Sequence, residues 1–463
     1  MKELVSNLKV VAVIFVLISA LLLGGLVVQQ ERSRTDLGAI AGENKAALAE
    51  RYGKNAGAIY SADDRALAIS VDGWRQYPAW PDSDAYVHIV GDYTHHLANT
   101  LELRYENRLM GNERSFLDQL LLDVSGRGLQ GDDLRVTLND GISQVVNQAL
   151  GWYEGAAVVL NWRTGEVLAS VSKPAVNYPD LIAYNEQNFV DTSLFNRAIN
   201  GAYLPASTFK IFTTAAWLNS PNYDPNFSLT CTGEPTIPHG ARDHGHGEMN
   251  LASAFKESCN VFYGELGRRI GREPYLQFLD SIGFEEPLNL NRIKVRPMKA
   301  SVPENDESLL SWFAVGQPVG EIKLQVHPLG LAAYAGAIAN GGVLMEPQII
   351  DAFIDPLGRE IDKLKPTVKR EAFNPETAAT LHQLMAKTAS DYGVWVDGMD
   401  IGLKTGTGEV EGQEGYVSLV TSHSYNESFP YAVCVILDEA WGGFESVTPI
   451  IQQIYQALAY LKP

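Results

Sequence analysis

The sequence predicts an α+β protein: a large C-terminal domain built on one sheet, a smaller domain before it, and an apolar segment at the N-terminus. Three observations carry this. Val10–Val28 is uncharged and nearly all apolar, and roughly 20 such residues cross a bilayer as a helix. Buried-strand runs stand at both ends of 151–463, at Ala156–Leu160 with Val167–Val171 and at Val417–Thr421 with Tyr431–Leu437, with helical stretches between them. The chain has 463 residues, enough for two or three domains of roughly 100–200 residues each.

Residues 1–35 read as a cytoplasmic stub and a transmembrane anchor. Lys2 and Lys9 flank one side of the apolar run and Glu31, Arg32 and Arg34 the other, so charge asymmetry alone does not orient it. Gly24-Gly25-Leu26-Val27-Val28-Gln29-Gln30 is a poor small-x-small cleavage site, which favours an uncut anchor over a signal peptide. The first cysteine is Cys231, which excludes a lipid-modified N-terminal cysteine.

Residues 36–150 form a separate, membrane-proximal domain. Ala39–Arg51, rich in Ala, Glu and Lys, predicts a helix. Asn55–Glu102 is turn-rich, with two prolines in Tyr77-Pro78-Ala79-Trp80-Pro81. Leu101–Leu109 and Phe116–Leu122 are short apolar-periodic stretches; Arg135–Leu138 alternates as a strand, and Asp140 opens a helix to Leu150. In 151–463, Arg163-Thr164-Gly165-Glu166 turns the first two strands into a hairpin. Thr448–Leu461 closes the chain as an amphipathic helix with Ile450, Ile451, Ile454, Tyr455 and Leu458 on one face.

The formal net charge of −19 argues against nucleic acid as a partner, because phosphate binding needs a basic face. It also gives no attraction to anionic lipid. Cys231, Cys259 and Cys434 are too few and scattered for a disulfide framework. Cys259 and Cys434 lie close to apolar runs and read as small buried hydrophobes.

Three short motifs follow in order: Ser207-Thr208-Phe209-Lys210, Ser258-Cys259-Asn260 and Lys404-Thr405-Gly406-Thr407-Gly408. Singly the first two are common. S-x-x-K also occurs at Ser6/Lys9, Ser170/Lys173 and Ser253/Lys256, and S-x-N at Ser220/Asn222 and Ser424/Asn426. Context separates them. Ser207 follows Pro205, a residue suited to a first helical turn, where the helix dipole favours a developing alkoxide. Lys210, three residues on, shares its face and is embedded among Phe209, Ile211 and Phe212. A lysine buried there loses its proton readily and can act as a base. Ser253/Lys256 reads instead as a cap beside a surface lysine. Ser258 lies between helical stretches Leu251–Glu257 and Val261–Ile270, so Ser258 can relay a proton and Asn260 can hold a substrate amide. Plain helix capping is the competing account. Lys404–Gly408 precedes the C-terminal strands and reads as a sheet edge where glycine lets a substrate backbone approach. Lys404 and Thr405 suit a carboxylate, and Thr407 N–H with Ser207 N–H suits an oxyanion hole; a plain turn is the competing account.

The motif set S-x-x-K, S-x-N and K-T-G is shared by penicillin-binding proteins and class A β-lactamases. The chain resembles class B penicillin-binding proteins, the monofunctional DD-transpeptidases. Further stretches carry the resemblance: Asn196-Arg197-Ala198-Ile199 leading to Ser207, Gly316-Gln317, His327-Pro328-Leu329, Ala337–Gly342, and His88-Ile89-Val90-Gly91 with Leu109-Met110-Gly111. It departs at Gly408, where many relatives carry alanine or serine, and at Pro318. The resemblance implies a penicillin-binding/β-lactamase-like transpeptidase domain at 151–463, a pedestal at 36–150 and a catalytic domain outside the cell membrane on a single-pass anchor. It implies Ser207, Lys210, Ser258 and Lys404 as catalytic groups, and Asn260, Thr405, Gly406 and Thr407 as substrate-binding. It implies peptidoglycan stem peptides as substrate, inhibition by β-lactams, a membrane glycosyltransferase partner, and no cofactor.

Two features compete for attention. Glu285-Glu286-Pro287-Leu288-Asn289 matches the E-x-x-L-N segment of class A β-lactamases, and is read here as an acidic loop. His239, His244 and His246 crowd a glycine-rich loop but match no zinc spacing, so no metal is expected and the loop is read as positioning the helix that leads to Ser258. A hydrolase, either carboxypeptidase or β-lactamase, and a non-catalytic wall-assembly scaffold are the rival functions.

Overall fold

The structure, a computed structural model, describes Lys9 and residues 11–21, 24–25, 45–78, 82–128, 130–183, 192–302, 304, 306–409, 416–440 and 443–461. Of the expected anchor Val10–Val28, residues 10, 22–23 and 26–28 lie outside these residues, as does the whole link 29–44 to the next domain. Residues 11–21 are helical and, apart from the half-buried Ser19, exposed. Among the described residues, no helix is long and apolar enough to cross a membrane.

The C-terminal sheet has five strands: β5 (Gly155–Asn161), β6 (Val167–Lys173), β9 (Ile401–Glu409), β10 (Tyr416–Ser424) and β11 (Tyr431–Ala440). Their order is β9-β10-β11-β5-β6, all antiparallel, so strands from both ends of the domain meet where β11 pairs with β5. Inner strands covered on both faces need near-continuous apolar runs, and Ala156–Leu160 and Ala432–Leu437 are all buried. Helix α7 (Pro328–Ala339) lies across one face, and every one of its residues is buried. Its Gly/Ala-rich sequence is the reason it fits: a Cβ at Gly336 would stand 2.8 Å from Trp162 Cβ. Helices α3 (Asp140–Leu150) and α9 (Phe444–Leu458) cover the sheet and pack on each other. The five apolar residues expected on one face of α9 are all buried.

The N-terminal sheet runs β8-β7-β4-β1-β2-β3. Four of its strands come from the N-terminal part: β1 (Ile59–Tyr60), β2 (Ala66–Val71), β3 (Trp74–Gln76) and β4 (Asp133–Val136). The other two, β7 (Ile350–Ile354) and β8 (Glu360–Ile361), are supplied by the chain after α7. Helix α1 (Lys45–Asn55) packs on β2 and β3. A buried pair, Arg75 with Glu102, sits under this layer at 2.8 Å. Tyr77 of the same cluster stacks on Tyr178 at 3.9 Å, tying the two parts of the molecule together. The stretch Leu101–Leu109 forms two one-turn helices broken at Tyr105, and Phe116–Val124 forms helix α2.

Candidate active site

Ser207 does not begin an α-helix. It lies in a 3-10 turn, Ala206–Phe209, and helix α4 (Lys210–Leu218) starts with the lysine. Ala206 is held at φ 45°, a left-handed conformation that a non-glycine residue keeps only when its surroundings impose it. The surroundings are tight: Gly316 packs so close that a Cβ there would stand 2.0 Å from Ala206 O. Gly316 thus supports the Ser207 turn, which accounts for the Gly316-Gln317 signal. Asn196 and Arg197 buttress the approach segment. Asn196 donates to His88 O at 3.1 Å, while Arg197, which is buried, pairs with Glu154 and Asp438.

Lys210 is wholly buried and its amine is the hub of the cluster. Its Nζ lies 3.1 Å from Ser207 Oγ, 3.1 Å from Ser258 Oγ and 2.6 Å from Asn260 Oδ1. Burial disfavours the ammonium and lowers its pKa from 10.5 to about 7, against the opposing pull of the Asp243 carboxylate. Ser258 has φ 55° at the junction of helices α5 (Leu251–Lys256) and α6 (Asn260–Ile270). That bend presents Ser258 and Asn260 to one side. Lys404 Nζ, also fully buried, donates to Ser258 Oγ at 3.0 Å and to Thr405 O at 3.1 Å. Burial first, and then the nearby Lys210, push its pKa well down.

Strand β9 is the sheet edge, as its sequence suggested. Lys404, Gly406 and Gly408 face the Ser207 turn, and the lack of a side chain at the two glycines lets the backbones close up. A Cβ at Gly406 would stand 3.0 Å from Pro205 O and 3.2 Å from Ser207 N. At Gly408 the contact would be Leu204 Cδ1, the end of a flexible side chain. Thr407 alternates to the other side and is exposed, and Thr405 donates its hydroxyl to Tyr392 at 3.3 Å.

Ser207, Lys210, Ser258, Asn260 and Lys404 are therefore joined by one hydrogen-bonded chain, with Thr405, Gly406 and Thr407 along its rim. Sequence reasoning missed Asp243 and Tyr392, and it singled out Gly316 without giving it a role. Asp243 Oδ2 accepts the Asn260 N–H at 2.7 Å and Arg242 O accepts from its amide, so the histidine-bearing loop holds the start of α6, the helix that follows Ser258. The same loop brings together Cys231, His246 and Cys259, whose donor atoms all lie within 4.8 Å of one another. Thiolates and imidazole are donors that suit zinc. No spacing in the sequence pointed to this trio, because it is gathered from β-ribbon, loop and helix cap. Glu285 takes the Ala300 N–H at 2.7 Å and faces Lys299; these structural partners suit the loop reading.

Residues 155–456 match the penicillin binding protein transpeptidase domain. That is more than half of the chain. The chain belongs to the penicillin-binding protein transpeptidase family. It is 30% identical over 400 residues to peptidoglycan D,D-transpeptidase PbpA of Mycobacterium tuberculosis, covering 79% of each chain. To PbpA of Mycolicibacterium smegmatis it is 28% identical over 435 residues, 87% of each. Among solved structures it is similar to the penicillin G acyl-enzyme complex of penicillin-binding protein A from M. tuberculosis. There the TM-score is 0.76 and the identity 26%, with 88% of this chain and 99% of that one covered. The α+β transpeptidase fold expected from the motifs is thus the fold of this family member.

Proposed function

We infer that this penicillin-binding protein is a serine-type peptidoglycan D,D-transpeptidase that cross-links stem peptides through an acyl-enzyme on Ser207 and is blocked by β-lactams. The observation that carries the reading is the buried Lys210 amine, 3.1 Å from Ser207 Oγ and lowered to about 7. A general base works best with a pKa near the operating pH.

Neutral Lys210 takes the Ser207 proton as Oγ attacks the carbonyl of the penultimate D-alanine of a stem peptide. The N–H groups of Ser207 and Thr407 receive the oxyanion, a role supported by the close approach of Gly406 to Ser207 N. The C–N bond breaks, and D-alanine leaves with a proton handed on by Ser258, which Lys210 replenishes. The amine of a neighbouring strand then attacks the ester, its proton returns to Ser207, and a new peptide bond remains. Asn260 holds the substrate's amide, and Lys404 with Thr405 its carboxylate. A β-lactam opens its ring in the first attack and leaves Ser207 acylated.

The apolar run Val10–Val28 anchors the chain, with the catalytic domain outside the membrane on a pedestal made of 36–150. The partner that the family resemblance implies is a membrane glycosyltransferase that makes the strands. The test is acylation of the full chain in detergent by a fluorescent penicillin. A long-lived adduct is expected, and Ser207→Ala should abolish it. Rapid turnover of the penicillin would make the protein a hydrolase; no adduct and no turnover would leave a scaffold.

A further inference from the structure

The N-terminal sheet has two unlike ends. At one, Asn139 N–H bonds to Leu168 O and Thr137 Oγ1 to Val167 O, which joins β4 to the catalytic sheet. The register places the opposite end as a set. β1 and β4 run parallel and both start there. The β2–β3 hairpin turns there, because Val71 pairs with Trp74 beyond Ile59. The β7–β8 turn lies there too, since Ile354 pairs with Asp133. Helix α2 sits at this end as well: Gln119 bonds to Gly128 O, and Arg114, just before the helix, bonds to Asp132. This pole lies across the sheet from the strand ends that bond to Val167 and Leu168, and Glu113 just before α2 reaches Arg292 at 3.0 Å.

The pole is apolar. Among the described residues from Lys45 to Leu150, the exposed large hydrophobics are Val71, Trp74, Leu117, Leu120, Leu121 and Val124, all at this end, and Leu357 of the β7–β8 turn joins them. In α2 four of them recur at i, i+3, i+4 and i+7, one continuous stripe. Leu117 is 70% exposed, Leu121 57% and Val124 82%, while Leu122 alone is buried. A helix this short gains too little from its own hydrogen bonds to hold an uncovered apolar stripe in water.

We propose that this pole is a lipid-docking surface. The α2 stripe, Trp74 and Leu357 enter the outer face of the bilayer and give the enzyme a second membrane attachment beside its anchor. The inference rests on the anchored reading above. Lipid is the occupant for three reasons. Residues 29–44 reach at most roughly 60 Å when extended, so a chain anchored by Val10–Val28 keeps this domain at the membrane, where tethering makes even weak contacts effective. The recess among these elements is lined by Arg108, Arg114, Asp118, Asp132, Asp355 and Arg359. Apolar ridges around a charged recess make no groove for a partner helix. Tryptophan beside aliphatic residues is the composition of a membrane interface. Charges of both signs stand among them, and the whole chain carries −19. Docking is therefore driven by apolar insertion and proceeds on zwitterionic lipid.

The test uses the full chain in phosphatidylcholine nanodiscs with brominated acyl chains. An environment-sensitive fluorophore is placed by Leu121→Cys; the three native cysteines are buried and do not compete. Val16→Cys in the apolar run and Tyr460→Cys, 89% exposed near the C-terminus, are the references. The label at 121 should shift to the blue and be quenched several-fold by bromine, as at 16, while the label at 460 stays unchanged. If 121 behaves as 460 does while 16 is quenched, the docking surface is overturned and the anchor stands. If 16 is not quenched either, the anchored reading falls and docking falls with it. Protection of 121 that follows the number of chains per disc, without bromine quenching, identifies a second copy as the cover and also overturns the proposal.

Discussion

The pH dependence of acylation tests the chemistry most directly. Lys210 falls from 10.5 to about 7 because a fully buried ammonium has lost its water. At about 1.4 kcal/mol per pH unit, that shift corresponds to roughly 5 kcal/mol of differential stabilisation of the neutral amine. If the neutral amine is the base, the acylation rate follows its fraction, about one tenth at pH 6, one half at pH 7 and nine tenths at pH 8. The second-order rate of acylation by a fluorescent penicillin should therefore rise about tenfold from pH 6 to pH 8 and then level off. Stability should move with the same group. Its folded pKa lies below its unfolded one, so between about 7 and 10.5 the unfolded chain binds more protons, and stability rises with pH across that window. Lys210→Arg should acylate more than a thousandfold slower at every pH, because guanidinium does not deprotonate. A rate that is flat between pH 6 and 8, or that climbs without a plateau toward pH 10, would refute Lys210 as a buried neutral base.

Four further outcomes follow. Asp243→Asn keeps an acceptor for Asn260 N–H but removes the charge that raises the Lys210 pKa, so the acid limb of the acylation profile should move to lower pH; an unmoved limb would show that Asp243 is only a tether. Gly316→Ala puts a Cβ against the backbone carbonyl of Ala206 at a φ of 84°, and should cost about 3 kcal/mol in urea unfolding and slow acylation. Gly408→Ala meets side chains rather than backbone, Leu204 Cδ1 and Cγ and Ala206 Cβ, at a φ that is not positive, and should cost less than Gly316→Ala, about 1 kcal/mol; equal costs for the two would discredit the close-approach argument. Glu102→Gln leaves Arg75 charged in a site where both side chains are fully buried, and should lose about 3–5 kcal/mol by thermal unfolding.

Much of the molecule was legible in the chain alone. The strand runs at both ends of the catalytic domain, the helix from Asp140 to Leu150 and the inward face of the last helix are local patterns, and burial followed them closely. The order of the three motifs was enough to single out the groups that the fold gathers into one hydrogen-bonded cluster. Their meaning depended on contacts that no local pattern carries. Ser207 and Lys210 are neighbours in sequence, but Ser258 Oγ and Lys404 Nζ, 146 residues apart, meet at 3.0 Å only because β9 closes over the junction of α5 and α6. Sequence placed Ser207 at the start of an α-helix. Tertiary packing against Gly316 instead holds Ala206 left-handed and makes the turn a 3-10 one. The return of Ile350–Ile361 to the N-terminal sheet was equally hidden, since a short strand's hydrophobicity does not say which edge will pair with it. Periodicity reports which face of an element avoids water; which distant element supplies the cover is decided by packing of the whole chain, and the charge state of Lys210 and the exposed apolar pole are consequences of that packing.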